Sequence, residues 1–311
     1  MTTKIVFMGT PDFSVSALKE LHKQGYDIPL VITQPDKPKG RGKKMIPTPV
    51  KEAALELGCR VIQPRFVNDE DIILEIKKTE PDFFVVVAFG QFLSEALLDV
   101  PRYAPINIHA SLLPAYRGAA PIHRSILNGD TKSGVTTMFM DKGMDTGDIL
   151  DVIETKITKE DTAETLHDRL AELGAALIVT TIENFLNSSE NRLPQDSQKA
   201  SPAPMLKKKE GQIDWAKSSG ELDCFVRGMT PWPGAFTFFN DKRLKVFKIK
   251  ETDIDSDKLP GTIIDSPQDE LHVATGGKVI SILEIQGASG KKLAVADFLR
   301  GFKIKTDDSF S

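Results

Sequence analysis

Three stretches of this sequence set polar side chains at spacings that could do chemistry. In the first, Asn107 and His109 stand two apart in Asn107-Ile108-His109, followed at once by Ala110-Ser111-Leu112-Leu113-Pro114. Asparagine is depleted in strands, so an Asn and a His on alternate positions of a strand end put an amide and an imidazole on one face. The second, Asp141 to Asp148, places three carboxylates and two glycines in one loop. The third is Gly9-Thr10-Pro11, directly behind a short apolar run. Joined, Asn107, His109 and Asp145 suit acyl transfer to an amine. That reaction passes through a tetrahedral oxyanion, which an amide donor and an imidazolium stabilise while a carboxylate holds the imidazole and assists removal of the amine proton. Each stretch also has a plainer alternative. Buried His and Asn commonly satisfy backbone groups, an acidic turn is often only solvated, and Gly9 serves a tight turn.

Other chemistries fit less well. A dinucleotide fingerprint needs three glycines where this chain has Gly9 alone, and no phosphate loop exists, since Gly277-Lys278 is followed by Val279 and preceded at the required offset by His272. The Asp141–Asp148 loop does not match a calcium loop, whose acids alternate ahead of a glycine at the sixth position. No serine or cysteine occupies a nucleophile-elbow context, which favours direct transfer over a covalent acyl-enzyme. Cys59 and Cys224 are too far apart for a redox pair or a zinc framework, so no metal is expected.

The elements that must position these residues alternate. Lys4 to Thr10 reads as a strand, Phe13 to Gln24 as a helix capped by Asp12, Ile28 to Thr33 as a strand and Thr48 to Leu57 as a helix. Arg60 to Gln63 follows, then a helix over Asn68 to Lys78 and the strongly apolar Phe83 to Ala88, as a strand buried on both faces should be. Ile106 to His109, a helix over Ala119 to Asn128, β-type segments at Gly134 to Met140 and Ile149 to Thr155, and a long helix over Thr162 to Leu186 complete the series. A doubly wound, Rossmann-like α/β sheet is the natural architecture, and it puts its site at the carboxyl ends of its strands. Residues 188–204, rich in Ser and Pro, read as a connector. A helix over Glu221 to Met229 and short strands at Ala235 to Phe239, Leu244 to Ile249, Gly261 to Ile264, Leu271 to Ala274 and Val279 to Ile285 then suit a smaller, OB-like β-barrel. The expected division is 1–187, a linker at 188–210, and 211–311.

With 40% hydrophobic and 27% charged residues, the 311-residue chain has an ordinary globular composition. The opening residues form too short an apolar run for a signal-peptide core, so a cytoplasmic address without a membrane span is expected. The net charge of −4 hides two basic stretches. Asp36 to Lys51 carries six Lys or Arg against one acid, and Lys207 to Lys250 ten against five, each a local +5. Such patches bind polyanions even on an acidic protein.

The runs NIHASLLPAYRGAAPI (Asn107 to Ile122) and DKGMDTGD (Asp141 to Asp148) resemble those of the folate-dependent formyltransferases. That resemblance implies formyl transfer from 10-formyltetrahydrofolate, carried by Asn107, His109 and Asp145. It further implies that Ser111, Leu112, Leu113 and Pro114 lie against the folate, and that the backbone of Val87, Ala88, Phe89 and Gly90 walls the pterin pocket, although these are equally well a core strand end. VFMGTPDFSVSAL (Val6 to Leu18), QPDKPKGRGKK (Gln34 to Lys44) and PWPGAFTFF (Pro231 to Phe239) extend the likeness over the whole chain, to the branch of that family acting on charged initiator (methionyl) tRNA in translation initiation. There the basic loop and the barrel hold the tRNA, which makes Arg41, Lys43, Lys44 and Lys207 expected tRNA contacts. Prolines and glycines between Pro35 and Gly42 forbid regular structure in that loop, leaving it mobile enough to reach phosphates. Three alternatives stay open: a small amine as acceptor, hydrolysis of the formylfolate, and a non-catalytic RNA-binding module.

Overall fold

The computed structural model describes residues 2–39, 44–287 and 290–311. It divides into two compact units, one of Met1–Pro121, Lys132–Lys156 and His167–Pro204, the other of Ile122–Thr131, Ile157–Leu166 and Met205–Ser311.

The first unit is built on a seven-stranded sheet. Its parallel part begins with β1 (Lys4–Gly9), β2 (Asp27–Ile32), two strands of a separate small ladder, β3 (Lys37–Lys39) and β4 (Lys44–Ile46), and then β5 (Val61–Ile62). β6 (Phe83–Val87), β7 (Ala104–His109), β8 (Lys132–Phe139) and β9 (Ile149–Lys156) complete it, in the order β5-β2-β1-β6-β7-β8-β9. β5 to β7 are parallel along that order, whereas β8 and β9 are antiparallel. Every residue of β6 is buried, which is what Phe-Phe-Val-Val-Val requires of a central strand. β9, at the edge, alternates between exposed and less exposed positions. Helices α1 (Phe13–Lys23), α2 (Pro49–Glu56), α3 (Glu70–Lys77) and α4 (Glu95–Leu98) connect the strands. Asp12 accepts a hydrogen bond from Phe13 N at the start of α1, and Thr48 from Lys51 N at the start of α2, where Pro49 occupies the first turn. On one face of the sheet Val6, Met8, Leu30, Ile32, Phe84 and Val86 pack with Ile76 and Leu97, and each such fully buried side chain contributes about 1.5–3 kcal/mol.

The sheet order reverses between β1 and β6, so the carboxyl ends of β1, β6 and β7 open onto one edge of the sheet at a topological switch point. Helix α5 (Pro121–Leu127) follows β7, and α6 (Ala163–Leu186) packs on β7 through Gly174, where a Cβ would stand 2.9 Å from Ile108 Cγ2.

Regular structure does appear around the basic loop. β3 and β4 pair antiparallel, Lys37 with Ile46 and Lys39 with Lys44. Pro38 itself lies within β3, opposite Met45, so a proline in this run does not forbid a strand of three residues. Arg41 and Lys43 lie outside the described residues.

In the second unit α7 (Ser219–Met229) starts on a capping box, Ser218 Oγ accepting from Glu221 N while the Glu221 carboxylate accepts from Ser218 N. The strands β10 (Ala235–Phe239), β11 (Lys242–Glu251), β12 (Ile263–Ile264), β13 (His272–Val273) and β14 (Ile280–Gln286) are antiparallel in the order β10-β11-β14-β13-β12, a Greek-key order. β15 (Leu293–Ala294) pairs with β14 and leads into α8 (Val295–Gly301), two short elements beyond those the sequence suggests. Residues 307–311 join the two edges: Asp308 O accepts from Ile263 N (2.8 Å), and Phe238 exchanges two bonds with Ser311 (2.8 and 3.0 Å). The antiparallel sheet is thereby closed.

Candidate active site

Asn107 and His109 leave β7 on the same face, opposite Met138 and Thr136 of β8. Both are buried, yet the Asn107 side chain makes no hydrogen bond among the described residues. Its amide is not among the sealed-off atoms that lack a partner, so at the strand's carboxyl end it is a donor and acceptor still open to a ligand. His109 Nε2 lies 2.9 Å from Tyr116 O. A backbone carbonyl can only accept, so Nε2 carries the proton and Nδ1 is the nitrogen left for chemistry.

Nδ1 faces Asp145 Oδ2 at 3.7 Å, close enough for attraction to an imidazolium and too far for a hydrogen bond. The Tyr116 carbonyl fixes the imidazole at Nε2, and the Asp145 carboxylate faces it at Nδ1. Asp145 is itself positioned: its Oδ2 accepts from Gly118 N at 2.8 Å, and its backbone has a positive φ of 55°. Around it Thr146 Oγ1 donates to Asp141 Oδ1 (2.7 Å), and Gly147 leaves no room for a Cβ against Phe139 O. The loop is thus a fixed structure rather than a solvated turn.

Ser111 to Pro114 continue from β7. Thr136 pins them with one hydroxyl, accepting from Leu113 N (3.1 Å) and donating to Ser111 O (2.7 Å), while Ser111 Oγ donates to Ala115 O (2.6 Å). Leu112 packs on the bare Gly134 of β8. At the end of β6, Val87 and Phe89 point into the core, whereas Ala88 and Gly90 are exposed with φ of 45° and 84°. Ser14 Oγ donates to Val87 O, and Thr10 Oγ1 to Phe89 O, which ties the turn after β1 to the turn after β6. Gly9 serves that close approach, a Cβ there falling 2.8 Å from Ser14 Cβ.

Gln195 and Ser201, in the segment that composition assigns to a connector, also build the site. The Gln195 amide donates to Asp145 O (2.9 Å) and Gly147 O (2.7 Å), and its carbonyl accepts from Arg117. Ser201 Oγ accepts from Tyr116 N, and Ala203 N donates to Arg117 O. Nothing in a Ser- and Pro-rich run signals these roles.

No group of three or more potential metal ligands occurs among the described residues. Burial pushes the Cys59 and Cys224 thiols up, away from the thiolate form. Of the expected tRNA contacts within the described residues, Lys44 opens β4 and Lys207 precedes a 3₁₀ turn at Lys208–Gly211, both exposed. No helix among the described residues is long and apolar enough to cross a membrane.

Residues 3–182 match the formyl transferase family, and residues 205–303 the formyl transferase C-terminal domain. A methionyl-tRNA formyltransferase of Halothermothrix orenii is 46% identical, with 98% of each chain covered. One of Alkaliphilus oremlandii is 45% identical, with 97% of each covered. Among solved structures, a sugar 3N-formyltransferase determined with dTDP and 5-N-formyl-THF shares the fold with a TM-score of 0.67 at 21% identity, covering 94% of this chain and all of that one.

Proposed function

The chain belongs to the formyl transferase family, among the methionyl-tRNA formyltransferases, and from that premise we propose that it moves the formyl group of 10-formyltetrahydrofolate to the α-amine of methionyl initiator tRNA. The observation that carries the chemistry is the convergence of an unpartnered buried Asn107 amide, His109 Nδ1 and the Asp145 carboxylate, 3.7 Å from that nitrogen. On this proposal 1–187 is the catalytic part, 188–210 the linker, and the barrel at 211–311 holds tRNA, in a cytoplasmic enzyme of translation initiation.

The residues present fit a folate donor. Ala88 and Gly90 are exposed at the end of β6, the pinned Ser111–Pro114 loop offers the half-exposed Leu112 and Pro114, and the open Asn107 amide lies on β7, the neighbour of β6 from which that loop continues. When bound there, the folate supplies the formyl group. Asn107 Nδ2 donates a hydrogen bond to the formyl oxygen as negative charge develops on it. Such a donor is worth about 2.7–4 kcal/mol of barrier. His109 Nδ1, protonated and facing Asp145, adds a positive charge on the same side, while Nε2–H stays with Tyr116 O. Asp145 sustains that charge through Oδ2, which Gly118 N holds, and Oδ1 remains to take the proton of the attacking amine, which passes to N10 of the folate as the formyl carbon–N10 bond breaks and tetrahydrofolate leaves.

The test is formyl transfer from 10-formyltetrahydrofolate to charged initiator tRNA, beside uncharged tRNA and a control without acceptor. Acceptance by the charged tRNA alone is expected. Folate turnover without acceptor would make the chain a hydrolase, and no turnover on any arm would overturn the proposal.

A further inference from the structure

Trp232 is the more exposed of two tryptophans, at 46%, whereas Trp215 is buried with its Nε1–H donated to Thr237 Oγ1. Its place in the second unit is rigid. Pro231 and Pro233 flank it, restricting φ on both sides. Gly234, at φ 88°, closes the turn by donating from N to Met229 O at 2.9 Å. Among the described residues neither a ring nor a cation lies against the indole. A large aromatic surface is therefore presented to solvent by a backbone that has little entropy left to lose on binding.

Its surroundings are basic. The stem of Lys245 runs past Gly234, where a Cβ would be 3.8 Å from Lys245 Cδ. On the other side Gly211 packs so closely on Gly234 O that no Cβ fits, which brings the exposed Lys208–Lys209 turn to the same place. Arg243 lies over the buried ring of Phe236 at 3.6 Å, and Lys245 of β11 pairs with Phe236. An unstacked ring two residues from a glycine around which these lysines gather has the composition of a platform for single-stranded nucleic acid: the ring takes a base face and the cations take the flanking phosphates.

We propose that Trp232, with Lys208, Lys209 and Lys245 beside it, stacks on one unpaired nucleotide of a bound RNA. The assignment deepens the reading of the chain as an enzyme acting on tRNA, and names the residue by which its second unit grips an unpaired base. A protein partner for the same ring is disfavoured by the density of lysines, which interfaces deplete.

The full chain is titrated with a labelled single-stranded tetra-adenylate and with an abasic chain of the same length, binding being followed by anisotropy and tryptophan emission together. The tetra-adenylate should quench emission in the wild type. Trp232→Phe should keep most of the affinity but lose the quenching, since only the buried Trp215 then remains. Trp232→Ala should weaken tetra-adenylate binding about tenfold and leave the abasic chain unaffected. Saturation without quenching, equal affinity in Trp232→Ala, or no binding at low salt would overturn the platform. Quenching alongside failed formyl transfer would overturn the enzyme reading alone.

Discussion

Among the described residues the Asn107 side chain makes no hydrogen bond, so it contributes little to the fold and its loss should separate activity from stability. Asn107→Ala is expected to lower kcat by about 10²–10³-fold, the usual loss for an oxyanion donor, with Tm nearly unchanged. Turnover assays beside thermal melts check this, and near-normal kcat would remove Asn107 from the chemistry. Gly118 makes the opposite case, a residue without a side chain on which the site depends. Its φ of 123° suits glycine, and a Cβ would stand 2.8 Å from Ala203 O. Gly118→Ala must shift the N–H that holds Asp145 Oδ2. It should lower kcat, with a smaller effect on the KM for folate, and cost about 1–3 kcal/mol of stability, read by denaturant unfolding. A Gly118→Ala enzyme with normal kcat would show that Asp145 does not need that anchor.

Element by element, the β3–β4 ladder shows how the flanks of the basic segment are held from their root. Lys51 Nζ donates to Asp36 Oδ2 at 2.7 Å, and Gln63 Nε2 donates both to Asp36 Oδ1 and to Gln34 O, so loops after β2 and β5 are stitched together just before β3 begins. The Lys51 ammonium, and then the Gln63 amide, hold the Asp36 carboxyl below the ordinary aspartate range. A depressed folded value means that this contribution is fully present above the unfolded value and fades only as pH falls through the folded one, so the pair is intact across the neutral range. Asp36→Asn should raise the KM for tRNA about three- to tenfold with kcat preserved, the size of one ordinary net hydrogen bond. A fall in kcat instead would place Asp36 in the chemistry. The same elements mark what sequence can carry. Burial on both faces forces an apolar run, so β6 and the doubly wound order were legible. Alternation pointed to Asn107 and His109 as candidates, and loop composition together with family likeness pointed to Asp145. Strands β3 and β4 are three residues long and made of Lys, Pro, Met and Ile, below any periodicity. Tyr116 acts through its carbonyl, Gln195 and Ser201 act on backbone groups, and Thr136 is an ordinary strand residue that happens to pin a loop; none of these leaves a pattern in side-chain types.

At the scale of the molecule, the barrel of the second unit depends on five residues that the strand pattern did not include. Residues 307–311 satisfy both sheet edges, and Phe310 is the side chain that commits them to the core: it is 5% exposed, stacks on Trp215 at 5.6 Å and meets Phe239 edge-on at 5.9 Å. Phe310 N donates to Gly261 O, and Gly261, at φ 88°, has Phe310 O 2.7 Å from where its Cβ would be. Open edges carry unpaired backbone groups that invite pairing with other chains, so loss of this closure should be felt as both instability and association. Phe310→Ala is expected to cost the second unit about 3–5 kcal/mol, the range for a buried aromatic cavity. Because the chain has two units, unfolding need not be a single step, and the change belongs to one of them. Trp215 reports on it directly: its emission should move to longer wavelength at lower denaturant in Phe310→Ala, while far-UV signal from the α/β unit persists to the wild-type midpoint. A single unfolding transition shifted as a whole would mean that the two units melt together, and an unshifted Trp215 transition would show that the ladder bonds at Phe238 and Ile263 close the barrel without the ring.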